Sequence, residues 1–302
     1  MPTPPEPGAT SDFAPARRRA RFVIVTADDF GQHEAVNEAV ERASREGILC
    51  AASLMVGAPA SADAVRRARA LPDLRVGLHL VLVEGAPLLP LDEVALLLGR
   101  DRRFDERMGI AGARYFLSPR ARRQLRAEIR AQFRAFAASG LVLDHVNAHK
   151  HFHLHPTVLG LMLQVGQEFG LKAVRYPFEP AGLRGPTSLR ERTGAAALQP
   201  WLRLMRARLR RAGVSHNDQL CGIGRSGRMD EVALERALQA LPEGVTEIYL
   251  HPATQSGAQI APSTSHYRHT EEFAALLSPR VRAALGATPR GGFTDWLQRR
   301  HR

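Results

Sequence analysis

Cysteine is scarce: Cys50 and Cys221 are the only two in 302 residues, too few for a disulfide framework and without the spacing of a Cys-rich zinc site. Both read as small apolar core residues, and their scarcity suits a reducing, cytoplasmic compartment. No apolar run approaches the ~18 residues a membrane span requires. Residues 1–20 are rich in Pro and Arg and lack the apolar core of a signal peptide, so they are expected to form a disordered tail. Acidic residues are outnumbered, 30 Asp and Glu against 42 Lys and Arg, which leaves a formal charge of +12. The positive residues are mostly Arg on helix-like segments rather than in an aromatic-interleaved sheet or a recognition motif, so no nucleic-acid partner is expected from charge alone. Internal repeats are absent, as are low-complexity blocks beyond the tail.

What the chain does have is a core: 44% of its residues are hydrophobic, enough for one barrel-sized domain over residues 21–302. Apolar runs at 22–27, 49–56, 75–82, 141–146, 172–176, 219–223 and 245–250 read as strands. Between most of them lie helical patterns, at 34–46, 58–70, 120–138, 157–169 and 231–240. That alternation predicts repeated βα units, an α/β fold with a parallel sheet. Two long insertions, 83–117 and 177–218, interrupt it and are candidate substrate loops.

Chemistry-bearing residues gather where strand runs end, the place at which βα-barrel enzymes build active sites. Asp28 and Asp29 follow the run Val23-Ile24-Val25. Adjacent side chains diverge, so one Asp can ligate a metal while the other faces an attacking water; Gly31 then lets the chain turn sharply. His79 closes the run Val76-Gly77-Leu78-His79. His149, His151, His153 and His155 recur with period two. In an extended strand all four would share a face, and in a helix His149 and His153 would pair. His251 is presented between a strand and Pro252, which discourages helix. Arg175 also ends a strand and either pairs a site carboxylate or holds a substrate hydroxyl. Glu179 and Asp218 are weaker candidates. One Asp with two His leaves coordination positions open for water and substrate, and a second Asp with a further His remains for general base and general acid, the composition of a hydrolytic metal site.

Thr26-Ala27-Asp28-Asp29-Phe30-Gly31, Gly77-Leu78-His79-Leu80, the block from Asn147 to His153 and His251-Pro252-Ala253, in this order, resemble the YdjC-like (ChbG) carbohydrate deacetylases. Longer stretches, Ala51-Ala52-Ser53-Leu54-Met55-Val56-Gly57-Ala58-Pro59 among them, look like the hopanoid-biosynthesis-associated (HpnK-like) branch. The resemblance implies a distorted (β/α) barrel and metal-dependent removal of acetate from an N-acetylglucosamine moiety, in this branch on a glycosylated hopanoid lipid. Carried over by position, it implies Asp29, His79 and His149 as metal ligands, Asp28 as base and His251 as acid; beside these, Arg175 and His153 are the candidates for binding substrate. Asn147-Ala148 stands where the family commonly has Asp-Ser. One divalent ion is expected, with Mg²⁺, Zn²⁺ and other transition metals left open, and no organic cofactor. A soluble chitooligosaccharide deacetylase would use the same residues. A non-catalytic basic protein binding metal or nucleic acid is the reading outside this class, and it leaves Asp28 and His251 unexplained.

A lipid substrate would require peripheral contact with an anionic surface of the inner membrane. The segment carrying Trp201, Leu202, Met205 and Leu209 beside Arg203, Arg206, Arg208, Arg210 and Arg211 is the expected docking helix. The oligomeric state is left open, a homodimer included.

Overall fold

The computed structural model describes residues 20–184, 189–257 and 259–300; the expected tail lies outside these apart from Ala20. The elements run β1 (Arg21–Phe30), α1 (Glu34–Glu46), β2 (Ala51–Leu54), α2 (Ser61–Arg69), β3 (Arg75–Leu80), α3 (Met108–Leu117), α4 (Pro119–Ala138), β4 (Val146–Ala148), α5 (Pro156–Glu168), α6 (Ala181–Arg184), α7 (Leu189–Arg211), β5 (Gln219–Cys221), α8 (Glu231–Gln239), β6 (Gly244–Leu250), α9 (His269–Leu277), α10 (Pro279–Leu285) and α11 (Phe293–Arg300). The strands form one parallel sheet in the order β4-β3-β2-β1-β6-β5. Helices cover it, so a strand such as β1 is buried along nearly its whole length and reads as a continuous apolar run.

The sheet curls into a distorted barrel. The run 172–176, expected as a strand, supplies only two parallel bridges, Val146 to Val174 and Ala173 to Ser215. Those bridges nevertheless span the gap between β4 and the approach to β5. The run expected at 141–146 becomes a short β4 that begins five residues late, at Val146, and ends at Ala148. Its first part pairs irregularly, with Asp144 N donating to Val76 O and His145 O accepting from Leu78 N. Helices α9, α10 and α11 follow the last strand without a matching expectation, and α11 closes over the strand starts through Phe293, which packs with Phe22, Ile24 and Val245.

The insertion after β3 is pinned to α4 by two buried side chains. Gln132 exchanges hydrogen bonds with the Val81 backbone, at 2.9 Å to its N and 2.7 Å to its O. Glu128 accepts from Leu88 N and Leu89 N at 3.0 and 3.1 Å. A loop held at four backbone groups is a wall rather than a loose flap.

Candidate metal centre and active site

Strand β1 reaches the site through a bulge. Ala27 pairs with Ala52 and Phe30 with Leu54, so three steps along β1 match two along β2. Asp29 sits inside the bulge at φ 61°, a left-handed conformation that costs a non-glycine residue free energy and is kept where function requires it. The bulge aims both carboxylates at the site, where a regular strand would send them to opposite faces. Gly31, at φ +97°, makes the turn that follows, and a Cβ there would crowd Met55 O at 3.2 Å.

Asp29 meets two imidazoles. His79 Nε2 lies 3.3 Å and His149 Nδ1 3.1 Å from Asp29 Oδ1, and one donor atom from each of the three residues falls within 4.8 Å of the others. All three are buried. His79 Nε2 has no hydrogen-bond partner, while its Nδ1 is engaged by Asn147 Oδ1 at 2.7 Å. An imidazole tethered through one nitrogen with the other bare toward a carboxylate is the arrangement of a metal ligand. The donor set, one carboxylate oxygen and two imidazole nitrogens, fits a divalent ion with open positions.

Asp28 is held differently. Arg175 grips it in a two-pronged pair, Nη1 to Oδ2 at 2.5 Å and Nη2 to Oδ1 at 2.9 Å, and Asn147 Nδ2 donates to Oδ1 at 3.1 Å. Burial alone would raise the Asp28 carboxyl, but the Arg175 guanidinium and neighbouring imidazoles hold it well below the usual carboxylate range. Asp29 is likewise depressed, burial being outweighed by His149 and His79. Two oxygens offer about four lone-pair sites, and three are taken. The free one is on Oδ2.

His251 follows β6 directly. Its backbone is clamped on both sides, N to Glu272 Oε2 at 2.5 Å and O by His269 Nδ1 at 2.6 Å, while its side-chain Nδ1 has no partner. Burial pushes its pKa down to about 4 against the pull of Asp29 and Asp28, so it is neutral at rest.

The histidine block takes neither expected form. After β4 the chain makes two 3-10 turns, with Lys150 and His151 both at φ 52°, so the four imidazoles go to four places. His149 joins Asp29. His151 Nε2 contacts Tyr249 Oη at 3.1 Å, His153 Nε2 donates to the Arg175 carbonyl at 3.0 Å, and His155 packs against Phe152 and Phe116. His153 and Arg175 are the residues expected to hold substrate. Both are wholly buried, Arg175 between Asp28 and Glu247 and His153 behind Arg175, so they support the site from beneath.

Glu247 was missed by sequence reading. It accepts from Arg175 at 2.7 Å and from Thr26 Oγ1 at 2.9 Å. A Glu in the middle of the apolar run of β6 was the available signal. Glu179 proves structural, accepting three backbone N–H groups from Gly222, Ile223 and Gly224. Asp218 pairs with Arg206 and Val245 N.

A cavity of about 580 Å³ opens beside His149, walled by Met55, Val83, Leu88 and Ile260, with Glu84 and Gln32 as polar groups. A wider groove of about 900 Å³ lies at the other end of the barrel, among Arg21, Arg206, Arg210, Trp296 and Arg299. Of the candidate site residues it holds only Asp218, and none of Asp28, Asp29, His79, His149 and His251. The apolar face of the expected docking helix is covered by protein. Leu202, Met205 and Leu209 of α7 are buried in the core, and Arg206 and Arg210 line the strand-start groove, opposite the site.

A family model described as YdjC-like protein matches residues 22–287. The chain belongs to the YdjC-like family. Similar relatives include the carbohydrate deacetylases of Brevibacillus brevis, 37% identical over 156 residues, and Geobacillus stearothermophilus, 34% over 170. Another, from Vibrio vulnificus, is 36% identical over 163 residues. The matched stretches span 52–56% of this chain and 59–63% of those relatives. The fold is shared with an Enterococcus faecalis V583 crystal structure named as a candidate cellobiose-phosphate cleavage protein: TM-score 0.72 and 22% identity, over 92% of this chain and 99% of that one. Among the described residues no helix is long and apolar enough to cross a membrane.

Proposed function

We propose that residues 21–302 form one domain that removes acetate from an N-acetylated amino sugar, an amide hydrolysis that depends on a divalent ion held by Asp29, His79 and His149. The observation that carries this reading is the convergence of those three donors beside a second carboxylate, Asp28, gripped by Arg175. When bound, such an ion supplies Lewis-acid chemistry, making water more acidic and offsetting negative charge on the amide oxygen. Asp28 receives the proton of the attacking water at its free Oδ2 position. Arg175 and Asn147 fix the direction of that oxygen, so little reorganisation accompanies the transfer. His251, neutral at rest, takes up a proton from solvent as negative charge builds beside it and passes it to the departing amine nitrogen, and Asp28 returns its proton to solvent. The products are acetate and a free amino sugar. This chemistry uses no organic cofactor.

The apolar walls of the cavity beside His149 favour an amino sugar carrying an apolar group, which supports the glycosylated hopanoid as substrate. The carbohydrate deacetylase names of the relatives support the second reading, a soluble chitooligosaccharide. Rates of acetate release from an N-acetylglucosaminyl lipid and from N,N'-diacetylchitobiose separate the two. Faster turnover of the lipid is expected, and preference for the disaccharide would transfer the assignment. Many arginines are already paired with carboxylates, as in Arg67 with Asp63 and Glu41, or Arg280 with Glu235, which weakens a charge-driven nucleic-acid role.

A further inference from the structure

Beneath the two carboxylates runs a line of polar side chains of which the catalytic reading uses only Asn147. Asp144, His145, Ser53 and Asn147 are each at most 1% exposed. His145 meets Asp144 Oδ2 through Nδ1 at 2.9 Å and Ser53 Oγ through Nε2 at 3.1 Å. Asn147 Nδ2 donates to Ser53 Oγ at 2.9 Å and to Asp28 Oδ1 at 3.1 Å, and its Oδ1 faces His79 Nδ1 at 2.7 Å. Ser, His and Asp in a row have the composition of a nucleophilic triad. Ser53, however, is sealed inside the barrel at 0% exposure, so no acyl group reaches it.

With both imidazoles neutral, hydrogen-bond direction in this line has one solution. Asp28 Oδ1 is an acceptor, so the Asn147 edge facing it must be its NH₂ and the opposite edge its carbonyl. That carbonyl requires a proton on His79 Nδ1, which leaves Nε2 with its lone pair toward Asp29. On the far side Ser53 Oγ takes an N–H from Asn147 and gives its own proton to His145 Nε2. His145 Nδ1–H then donates to Asp144. Asp144 is anchored in turn by Phe293 N at 3.0 Å and by Thr294 N at 2.8 Å and Oγ1 at 2.5 Å, all at the start of α11. Gly77 makes room for the line: a Cβ there would stand 2.5 Å from His145 Cε1.

We propose that Asn147 is a positioning residue, locked by Ser53, His145 and Asp144, which selects the Nδ1–H tautomer of His79 and so presents a bare Nε2 to a divalent cation. The inference rests on the metal-site reading above and deepens it. Loss of such an outer partner typically weakens metal affinity by about 10–100-fold.

The test combines nitrogen-15 NMR of the histidine rings in metal-free protein with zinc titration calorimetry. Wild-type His79 should show the Nδ1–H tautomer alone. Asn147→Leu should populate the other tautomer and raise the zinc Kd by about 10–100-fold, whereas Asn147→Asp, which keeps an acceptor for Nδ1, should restore the tautomer and bind zinc no more weakly than wild type. Ser53→Ala removes one anchor and should shift tautomer and Kd the same way by a smaller factor; it decides the matter if Asn147→Leu does not fold. An Nε2–H tautomer in wild type, or an unchanged tautomer and Kd in both Asn147→Leu and Ser53→Ala, would overturn the proposal. Should wild type bind no zinc, the metal reading falls, and the NMR arm still decides the role of Asn147.

Discussion

Replacing Arg175 by Met removes the one cation between two buried carboxylates while keeping most of its volume. Arg175, Asp28 and Glu247 are at most 2% exposed, and Arg175 donates to both acids at 3.0 Å or less. Breaking a buried pair by deleting one partner costs about 3–5 kcal/mol, because the remaining charge has neither water nor counter-ion. For a domain of this size that lowers Tm by on the order of 10 °C. The pH dependence follows from the same groups. In wild type the Asp28 pKa is depressed below 3.8, so its contribution is present above that pH and lost as pH falls through the folded value. In the variant, burial without Arg175 raises the folded pKa above 3.8, so the penalty is full at neutral pH and shrinks as protonation relieves it. Urea unfolding followed by circular dichroism at pH 8 and pH 5 reads both effects. A loss below about 1 kcal/mol, or an equal loss at the two pH values, would refute the reasoning.

Asp28→Asn should abolish acetate release while divalent-ion binding, measured by calorimetry, persists; His79→Ala or His149→Ala should weaken binding itself, and the reverse pattern would exchange the two Asp roles. His251→Ala should keep the ion and lose rate by roughly a hundredfold; a rate within threefold of wild type removes it from the chemistry. His153 is held neutral by burial, its pKa pushed down to about 3 from 6.5. The unfolded chain therefore binds a proton that the folded one does not, and stability, full above pH 6.5, falls as pH drops toward 3. At pH 4.5 the loss from this group is about 2.7 kcal/mol, and the unfolding free energy of His153→Leu should decline correspondingly less between pH 7 and 4.5.

Legibility in the sequence tracks how local each feature is. The apolar runs and intervening helical periods of 22–82 are readable because period and turn chemistry are properties of a few consecutive residues, and α1, Glu34–Glu46, matches its expected bounds. Asp28, Asp29, His79, His149 and His251 are conspicuous because charged or titratable groups at strand ends stand out against their runs. Asn147 and Glu247 act through partners that lie up to 119 and 221 positions away, so their roles exist only once the barrel closes. The paths of His151 and His153 depend on two consecutive left-handed residues, which no periodicity encodes. An amphipathic stretch such as α7 reveals that one face is apolar but not whether protein or lipid covers it.

Acetate release from an N-acetylglucosaminyl substrate by protein purified without a His tag, assayed before and after exhaustive chelation and then with Zn²⁺, Mn²⁺ or Mg²⁺ added back, tests the central claim most directly. Chelation should abolish turnover and one of these ions should restore it in wild type but not in His149→Ala. Undiminished acetate release from the chelated protein would contradict the account.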